Sequence, residues 1–217
     1  VPVIVGPCSI HSVTAALEYA RRLSNLLDEV SETLFPIMRV YVEKPRTTIG
    51  WKGLLYDPYL NGTNNMVAGI QETRSLLTKL ADLGIPCATE FVSPLTAQYF
   101  KDLITWGFIG ARTTASQTHR ELASALKFPV GFKNSVDGNL QIAIDSVVAA
   151  RAEHTFLSLN DEGKAAIVKG AGNPFTHLVL RGSDTDTNYS AGCIEHARRL
   201  QEESGLFTPI LVDCAHG

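Results

Sequence analysis

Short β-rich runs alternate with longer amphipathic stretches, and this alternation most limits what the chain can fold into. The β-rich runs lie at 1–5, 36–42, 86–92, 107–112, 129–133, 177–181 and 209–213. Between them, apolar residues recur every three or four positions at 14–30, 65–83, 94–106, 118–126, 140–151 and 191–204. Gly84 and Gly205 are placed to end two of these predicted helices. Strands that alternate with helices predict a parallel α/β fold.

One segment departs from the alternation. The runs Thr155 to Leu159 and Ala165 to Val168 are separated by a connection too short for a helical crossover, so residues 155–168 predict an inserted β-hairpin. The seven remaining strands fit a TIM (β/α)8 barrel truncated before its eighth strand, since such barrels typically run to about 250 residues. We therefore expect residues 1–217 to form a single catalytic barrel domain, incomplete at both ends.

Composition excludes several classes of protein. Hydrophobic residues make up 45% of the chain and the formal net charge is −3, which is typical of a globular protein and not of a disordered one. This charge gives no general attraction to nucleic acid or to an anionic membrane. The four cysteines lie far apart, which predicts reduced thiols and a cytoplasmic location.

Charged or thiol residues stand at or just after most of the predicted strands. They are Cys8, Arg39, Lys44, Arg46, Glu90, Arg112, Lys133, Arg181 and His216. Taken singly, a strand-end arginine is typical of a solvated rim residue or an ion-pair partner, Cys8 of a small apolar filler, and His216 of a hydrogen-bonded histidine. In a parallel barrel, however, all strands end at one rim, and six cations there would repel one another without anions between them. The set therefore predicts a small, highly anionic and phosphorylated substrate.

Cys8 and His216 are also a possible beginning of a metal site. Two ligands are too few, and carboxylates would have to complete the set. The residues by themselves leave open whether Glu90 or Asp213 does so, because Glu90 fits equally well as an ion-pair partner of the arginines.

Six motifs carry a resemblance to a known family. They lie at 6–11, 38–53, 109–114, 130–134, 180–182 and 213–217. In this order they resemble type I 3-deoxy-D-arabino-heptulosonate-7-phosphate (DAHP) synthase, the phospho-2-dehydro-3-deoxyheptonate aldolase family. The resemblance implies a TIM-barrel transferase. It would condense phosphoenolpyruvate with D-erythrose 4-phosphate, releasing phosphate, as the first step of the shikimate pathway to aromatic amino acids.

The resemblance also implies roles for single residues. The catalytic positions are Lys44, Arg112, Lys133 and His216. The phosphoenolpyruvate positions are Arg39, Lys44, Glu90, Gly110, Ala111, Arg112, Lys133 and Arg181. Among these, Arg112 and Lys133 match ligands of the phosphate, whereas Arg39, Lys44 and Arg181 match positions around the carboxylate. Arg46 and Thr47 match the site for the phosphate of erythrose 4-phosphate.

The same resemblance implies a divalent metal, Mn²⁺ or Fe²⁺ first and Co²⁺ or Zn²⁺ as alternatives. Cys8 and His216 match two of its four ligands, and a Glu and an Asp are expected after residue 217. We accordingly expect the isolated chain to have little activity. Relatives imply a homo-oligomer for the full-length protein.

The predicted hairpin matches an element of an allosteric pocket for an aromatic amino acid in this family. The matching positions are Gln98, Leu122, Leu126, Phe156, Ser158 and Val168. Ordinary packing between a hairpin and a helix would also account for these residues.

Two other functions stay open. The related 3-deoxy-octulosonate 8-phosphate synthases share the Gly-Pro-Cys opening, but there we expect a Lys-x-Asn-Arg type of motif where this chain has Lys44 to Thr47. A non-catalytic regulatory paralogue that retains substrate binding is the other alternative, and the intact set of cations argues against it.

Overall fold

A computed structural model describes residues 1–160 and 162–215, which form two compact units. Unit 1 comprises residues 1–92 and 99–106, and unit 2 comprises residues 93–98 and those from 107 onward. Both units contain parallel strands and helices, so the predicted α/β class is confirmed. None of the helices in these described ranges combines the length and apolar composition that a bilayer crossing requires.

Unit 1 contains three parallel strands and two long helices. In chain order these are β1 (Pro2–Val5), α1 (Val13–Val30), β2 (Phe35–Arg39), α2 (Met66–Asp82) and β3 (Cys87–Glu90). Strand β2 lies between the other two and pairs with both of them in parallel. Its residues 36–38 are buried, as expected for a strand covered on both faces.

Helix α2 shows how local sequence sets the helix ends. The Asn65 side chain accepts a hydrogen bond from the Ala68 N–H at 3.1 Å and caps the first turn. Gly84 ends the helix with φ +70°, and the N–H of Ile85 donates to the Leu80 carbonyl at 2.9 Å. The predicted glycine stop is therefore confirmed at Gly84.

The predicted helix over 94–106 is wrong. Two short 3-10 helices, Thr96–Tyr99 and Lys101–Leu103, lie there instead. Phe100, between them, has φ −149° and ψ 0°, a conformation that is not helical. Its ring stacks on Phe91 with centroids 5.9 Å apart, and both side chains are buried. Packing of this ring pair overrides the helical periodicity of the sequence.

Unit 2 contains the other strands and helices. In chain order they are β4 (Trp106–Ile109, which begins at the last residue of unit 1), α3 (Gln117–Ala125), β5 (Val130–Lys133), α4 (Gln141–Ala150), β6 (His154–Leu159), β7 (Ala165–Gly170), β8 (Thr176–Leu180), α5 (Ala191–Glu203) and β9 (Ile210–Val212). Parallel pairs join β4 to β5, β5 to β8 and β8 to β9. Helix α5 ends at a glycine, Gly205 with φ +71°, as predicted.

Strands β6 and β7 form a separate antiparallel pair. Phe156 and Val168 are cross-strand partners, and their side chains are half-buried on the same face as buried Ser158. The neighbouring pair, Leu157 and Ile167, lies on the other face, and each is 74% exposed. Both strands pack against α3.

Parallel pairing puts charged residues at the carboxyl ends of strands. Arg39, Glu90 and Lys133 are the last residues of β2, β3 and β5, and Arg181 directly follows β8. Strands β1 to β5 and β9 are one to three residues shorter than predicted. The earlier ends of β2 and β3 make Arg39 and Glu90 the last residues of their strands. Within each unit, these side chains therefore leave the same edge of the sheet.

Gly69 in α2 provides a test of packing in unit 1. A Cβ at this position would lie 2.0 Å from the Leu55 carbonyl oxygen, whereas a Cβ at Gly192 in α5 would meet nothing within 4 Å. We expect Gly69→Ala to destabilise the full-length protein by about 2 kcal/mol or more through overpacking. Gly192→Ala should instead stabilise it by up to about 1 kcal/mol, because alanine favours helix. Urea midpoints that shift equally for both variants would contradict this expectation.

Buried His177 should make the stability of the folded protein depend on pH. The ring is buried on β8, its Nδ1 lies 3.1 Å from the Phe175 carbonyl oxygen, and desolvation lowers its pKa to about 4. The unfolded chain, with a histidine pKa of about 6.5, binds this proton first. Neutral His177 therefore makes its full contribution to the free energy of unfolding above about pH 6.5. This contribution is lost as the pH falls toward 4, and the loss is about 2 kcal/mol at pH 5.

Urea unfolding of wild type and His177→Asn at pH 7 and pH 5 measures this difference. The variant should lose less stability than wild type on acidification, because it lacks the titrating imidazole. Equal losses in the two proteins would show that His177 does not contribute.

Candidate active site

Cys8, Arg39 and Lys44 form a thiol–cation cluster in unit 1. The Lys44 Nζ donates a hydrogen bond to the Cys8 Sγ at 2.7 Å, and an Arg39 Nη donates to the Cys8 carbonyl oxygen at 3.1 Å. The hydrogen bond from Lys44, together with the positive charge of both cations, lowers the pKa of the Cys8 thiol. Because Cys8 is exposed, this activated sulfur is open to solvent.

Arg39 is oriented by a ring. Its guanidinium carbon lies 3.6 Å from the centroid of the Tyr41 ring, two residues along the chain. The buried Nε of Arg39 has no hydrogen-bond partner among the residues that the structure describes. A planar guanidinium stacked on a ring is suited to a planar anion such as a carboxylate, which its outer nitrogens can bind.

Arg46 and Thr47 lie on the loop that follows β2. The Arg46 Nε donates to the Trp51 carbonyl oxygen at 2.7 Å, and the Lys44 N–H donates to the Lys52 carbonyl at 2.8 Å. These bonds fold the loop back on itself. Arg46 and Thr47 are both exposed, so their side chains are open to solvent.

Glu43 is a buried carboxylate, directly before Lys44, that was not predicted from the sequence. Its side chain is completely buried and accepts a hydrogen bond from the Val92 N–H at 3.4 Å. Burial, followed by the charge and the hydrogen bond of Glu43, raises the pKa of Tyr56 to about 12. A glutamate directly after the apolar run 40–42 was the available signal, since buried carboxylates are rarely without a role.

In unit 2, Lys133 forms an ion pair with Asp213. The Nζ lies 2.7 Å from an Asp213 carboxylate oxygen, and the side chains are only 5% and 11% exposed. The Lys133 ammonium also lies 5.8 Å from the centroid of the Phe108 ring. The protein itself therefore supplies a counter-charge for one of the six cations, in addition to any substrate. From the sequence, Asp213 was expected only as a possible metal ligand.

Arg112 is presented by a tight turn after β4. The Gly110 carbonyl accepts hydrogen bonds from the N–H groups of Thr113 and Thr114 at 3.0 and 2.9 Å. Buried Thr114 donates from its hydroxyl to the Lys133 carbonyl at 2.7 Å, and its own carbonyl accepts from the Ser146 hydroxyl at 2.7 Å. The turn is thus fixed to β5 and α4, while the Arg112 side chain remains exposed.

Arg181 is held through its backbone. Its N–H donates to the Asn134 Oδ1 at 2.9 Å, and its guanidinium makes a long contact of 3.5 Å to the Val136 carbonyl. The Arg181 guanidinium is therefore only loosely held. Three predicted cations thus lie in each unit, and the convergence of all six stays a prediction.

Cys8 fits one position of the implied metal site. A lowered thiol pKa favours the thiolate, the form that binds divalent transition metals. The other predicted ligand, His216, lies outside the described residues. Within 1–160 and 162–215, no three His, Cys, Asp or Glu side chains are grouped so as to hold a metal. Glu90 is buried at the end of β3.

The predicted effector positions all fall in unit 2. Leu122 and Leu126 are buried on α3 and at its end, and Phe156, Ser158 and Val168 share the covered face of the hairpin. Gln98 is half-buried, with its amide nitrogen 3.4 Å from the Pro94 carbonyl. Whether these side chains bind an effector stays a prediction.

Comparison with known proteins places these motifs in a family. The sequence model of the DAHP synthetase I family matches residues 1–217. The chain belongs to this family. The family predicted from the sequence motifs is therefore confirmed.

Several relatives within the DAHP synthetase I family are similar over nearly the whole chain. The Tyr-sensitive phospho-2-dehydro-3-deoxyheptonate aldolase of Escherichia coli K12 is 49% identical over 215 residues, covering 99% of this chain and 60% of that protein. The Trp-sensitive enzyme of the same organism is 50% identical over 215 residues, covering 99% of this chain and 62% of the relative. The chain thus spans about three fifths of the length of these relatives.

A solved structure from the family is also similar. The phospho-2-dehydro-3-deoxyheptonate aldolase of Francisella tularensis SCHU S4 matches all of this chain and 63% of its own, with a TM-score of 0.97 and 45% identity. The two proteins are therefore alike in amino-acid sequence as well as in fold.

The Cys8–Lys44 contact predicts an unusually reactive thiol. In metal-free full-length protein, we expect iodoacetamide to alkylate Cys8 with a pH midpoint below that of an ordinary cysteine, because Lys44 favours the thiolate. Lys44→Met should raise this midpoint and slow alkylation at pH 7. Peptide mass spectrometry reads out Cys8 separately from buried Cys87, whose pKa burial raises to about 12.

Lys52→Met is the matched control, because exposed Lys52 carries the same charge in unit 1 but lies near the Tyr56 ring. It should leave the midpoint of Cys8 unchanged. The same midpoint in wild type and in Lys44→Met would contradict the assignment.

Proposed function

We propose that the full-length protein condenses phosphoenolpyruvate with D-erythrose 4-phosphate to DAHP and phosphate. Membership in the DAHP synthetase I family over all 217 residues is the observation that carries this proposal. The strand-end cations of both units support it, because the two substrates together bring two phosphates and a carboxylate. We also propose that the full-length protein closes a TIM barrel, as the sequence pattern predicts.

Unit 2 supplies the groups for the phosphate of phosphoenolpyruvate. Arg112 offers a bidentate guanidinium on a turn that is fixed to β5, and the N–H of Ala111 lies on the same turn. Lys133 has three donors, of which Asp213 takes one, so the others remain for a phosphate oxygen. Asp213 also orients the Lys133 ammonium before substrate arrives.

Unit 1 supplies donors for a carboxylate and for a second phosphate. The stacked guanidinium of Arg39 and the ammonium of Lys44 suit the carboxylate of phosphoenolpyruvate. The exposed side chains of Arg46 and Thr47 suit the terminal phosphate of erythrose 4-phosphate. In the reaction, C3 of phosphoenolpyruvate bonds to the aldehyde carbon, water adds at C2, and the C–O bond to phosphate breaks. The cations orient both substrates and offset the negative charge.

Cys8 and His216 are the proposed metal ligands from this chain, and Mn²⁺ or Fe²⁺ is the proposed metal. When bound, such an ion acts as a Lewis acid toward an aldehyde or a water molecule. The lowered pKa of Cys8 is the feature of this chain that supports its role as a ligand.

Regulation by an aromatic amino acid is a further part of the proposal. The two Escherichia coli relatives are named Tyr-sensitive and Trp-sensitive. The proposed contact residues are Gln98, Leu122, Leu126, Phe156, Ser158 and Val168.

The four cysteines form no disulfides with one another, which supports a cytoplasmic location. A homo-oligomeric state stays a prediction.

Turnover by the full-length protein tests the function. With phosphoenolpyruvate, erythrose 4-phosphate and Mn²⁺, we expect one phosphate released for each DAHP formed, and loss of activity on chelation. Arg112→Ala should lower kcat/KM for phosphoenolpyruvate by about 100-fold or more, because it removes a bidentate phosphate ligand.

Arg198→Ala removes an exposed arginine from α5 and is the matched control, with kinetics expected to equal those of wild type. Turnover with arabinose 5-phosphate but not erythrose 4-phosphate would favour the octulosonate synthase alternative. No turnover by folded, metal-loaded protein would favour the non-catalytic alternative.

A further inference from the structure

Asn134 directly follows β5 and uses both ends of its amide, although its side chain is completely buried. Its Nδ2 donates to the carbonyl oxygens of Ser135 at 3.0 Å and Gly182 at 2.9 Å. Its Oδ1 accepts from the Arg181 N–H at 2.9 Å and from the Asn188 Nδ2 at 3.1 Å. All four positions that an amide side chain offers are therefore occupied.

These bonds fix the chain on both sides of Arg181. The Arg181 N–H and the Gly182 carbonyl bind the same Asn134 amide, and the Gly182 N–H donates to the Asn188 Oδ1 at 2.8 Å. Gly182 has φ +78°, so the chain turns sharply just after the arginine. Since the guanidinium of Arg181 is only loosely held, its position depends on this backbone.

Asn134 also follows Lys133 directly in sequence. Strands β5 and β8 are neighbours in register, and the Asn134 N–H extends their pairing to the Val179 carbonyl at 3.2 Å. The amide thus sets where Arg181 leaves β8 relative to where Lys133 ends β5. Aspartate has no N–H to donate to Gly182 and would add a buried charge, so the geometry requires an amide.

We propose that Asn134 is a positioning residue that holds Arg181 at the spacing from Lys133 that phosphoenolpyruvate needs. Arg181 and Lys133 carry charges that suit the carboxylate and the phosphate of this one small substrate. Asn188 supports Asn134 from the next loop. The inference rests on the proposed function, since it assigns the residue to the binding of that substrate.

Asn173 provides a matched control in the same unit. It is also completely buried, and its Nδ2 donates to the carbonyls of Ala123 at 3.1 Å and Phe128 at 3.0 Å. Its Oδ1 accepts from the Phe175 N–H at 2.9 Å. Removing it costs similar hydrogen bonds and leaves a similar cavity, but these bonds lead to none of the predicted substrate cations.

The test compares Asn134→Ala, Asn188→Ala and Asn173→Ala in the full-length, metal-loaded protein. We expect Asn134→Ala to raise the KM for phosphoenolpyruvate about tenfold or more while the KM for erythrose 4-phosphate changes less than about twofold. Asn188→Ala should shift the same constant by a smaller factor. Asn173→Ala should lower Tm as much as Asn134→Ala but leave both KM values as in wild type.

A purely structural role for Asn134 predicts a lower Tm with unchanged KM values, and that result would overturn the inference. So would an equal rise of both KM values. If Asn134→Ala does not fold, Asn188→Ala decides, and an unchanged KM for phosphoenolpyruvate in that variant rejects the proposal. Absence of turnover in wild type overturns the proposed function, and this inference with it. Active wild type with a selective Arg112→Ala defect, but no selectivity at Asn134, overturns the inference alone.

Discussion

Parallel strands bring their carboxyl ends to one edge of a sheet, and each unit of this chain places charged side chains at that edge. Like charges gathered in this way must be offset, because burial weakens the screening by water. The arrangement of partners around these cations determines which of them are held firmly and which remain available to an anion.

The partners differ in strength from one cation to the next. Lys133 has a carboxylate at 2.7 Å in a nearly dry environment, whereas Lys44 has a thiol and Arg39 has an aromatic ring. By contrast, Arg74 and Asp102 form an ion pair with half-exposed side chains, and such a pair contributes only about 0–1 kcal/mol. Because the Lys133–Asp213 pair is buried, water screens the attraction between its charges much less.

Neutral groups carry out much of the positioning. Thr114 links the Arg112 turn to β5 through a hydroxyl, and Asn134 links β5 to the end of β8 through an amide. Hydroxyls and amides can be buried at lower cost than charges, provided that their hydrogen bonds are made. They are therefore suited to fix charged neighbours without changing the charge balance themselves.

The α/β class, most helix and strand positions, the glycine stops and the family could all be predicted from the amino-acid sequence, because hydrophobic periodicity and local motifs are properties of short segments. The two 3-10 helices within residues 94–106 could not be predicted in this way, since the Phe91–Phe100 stacking that overrides the helical periodicity joins two different segments. The partners of the predicted cations likewise depend on the three-dimensional fold. Asp213 is 80 positions from Lys133, and Asn134 is 47 from Arg181, so no local pattern indicates that they touch. The burial of Glu43 likewise depends on chain that returns from residue 92, and hydrogen bonding across such separations is set by the fold.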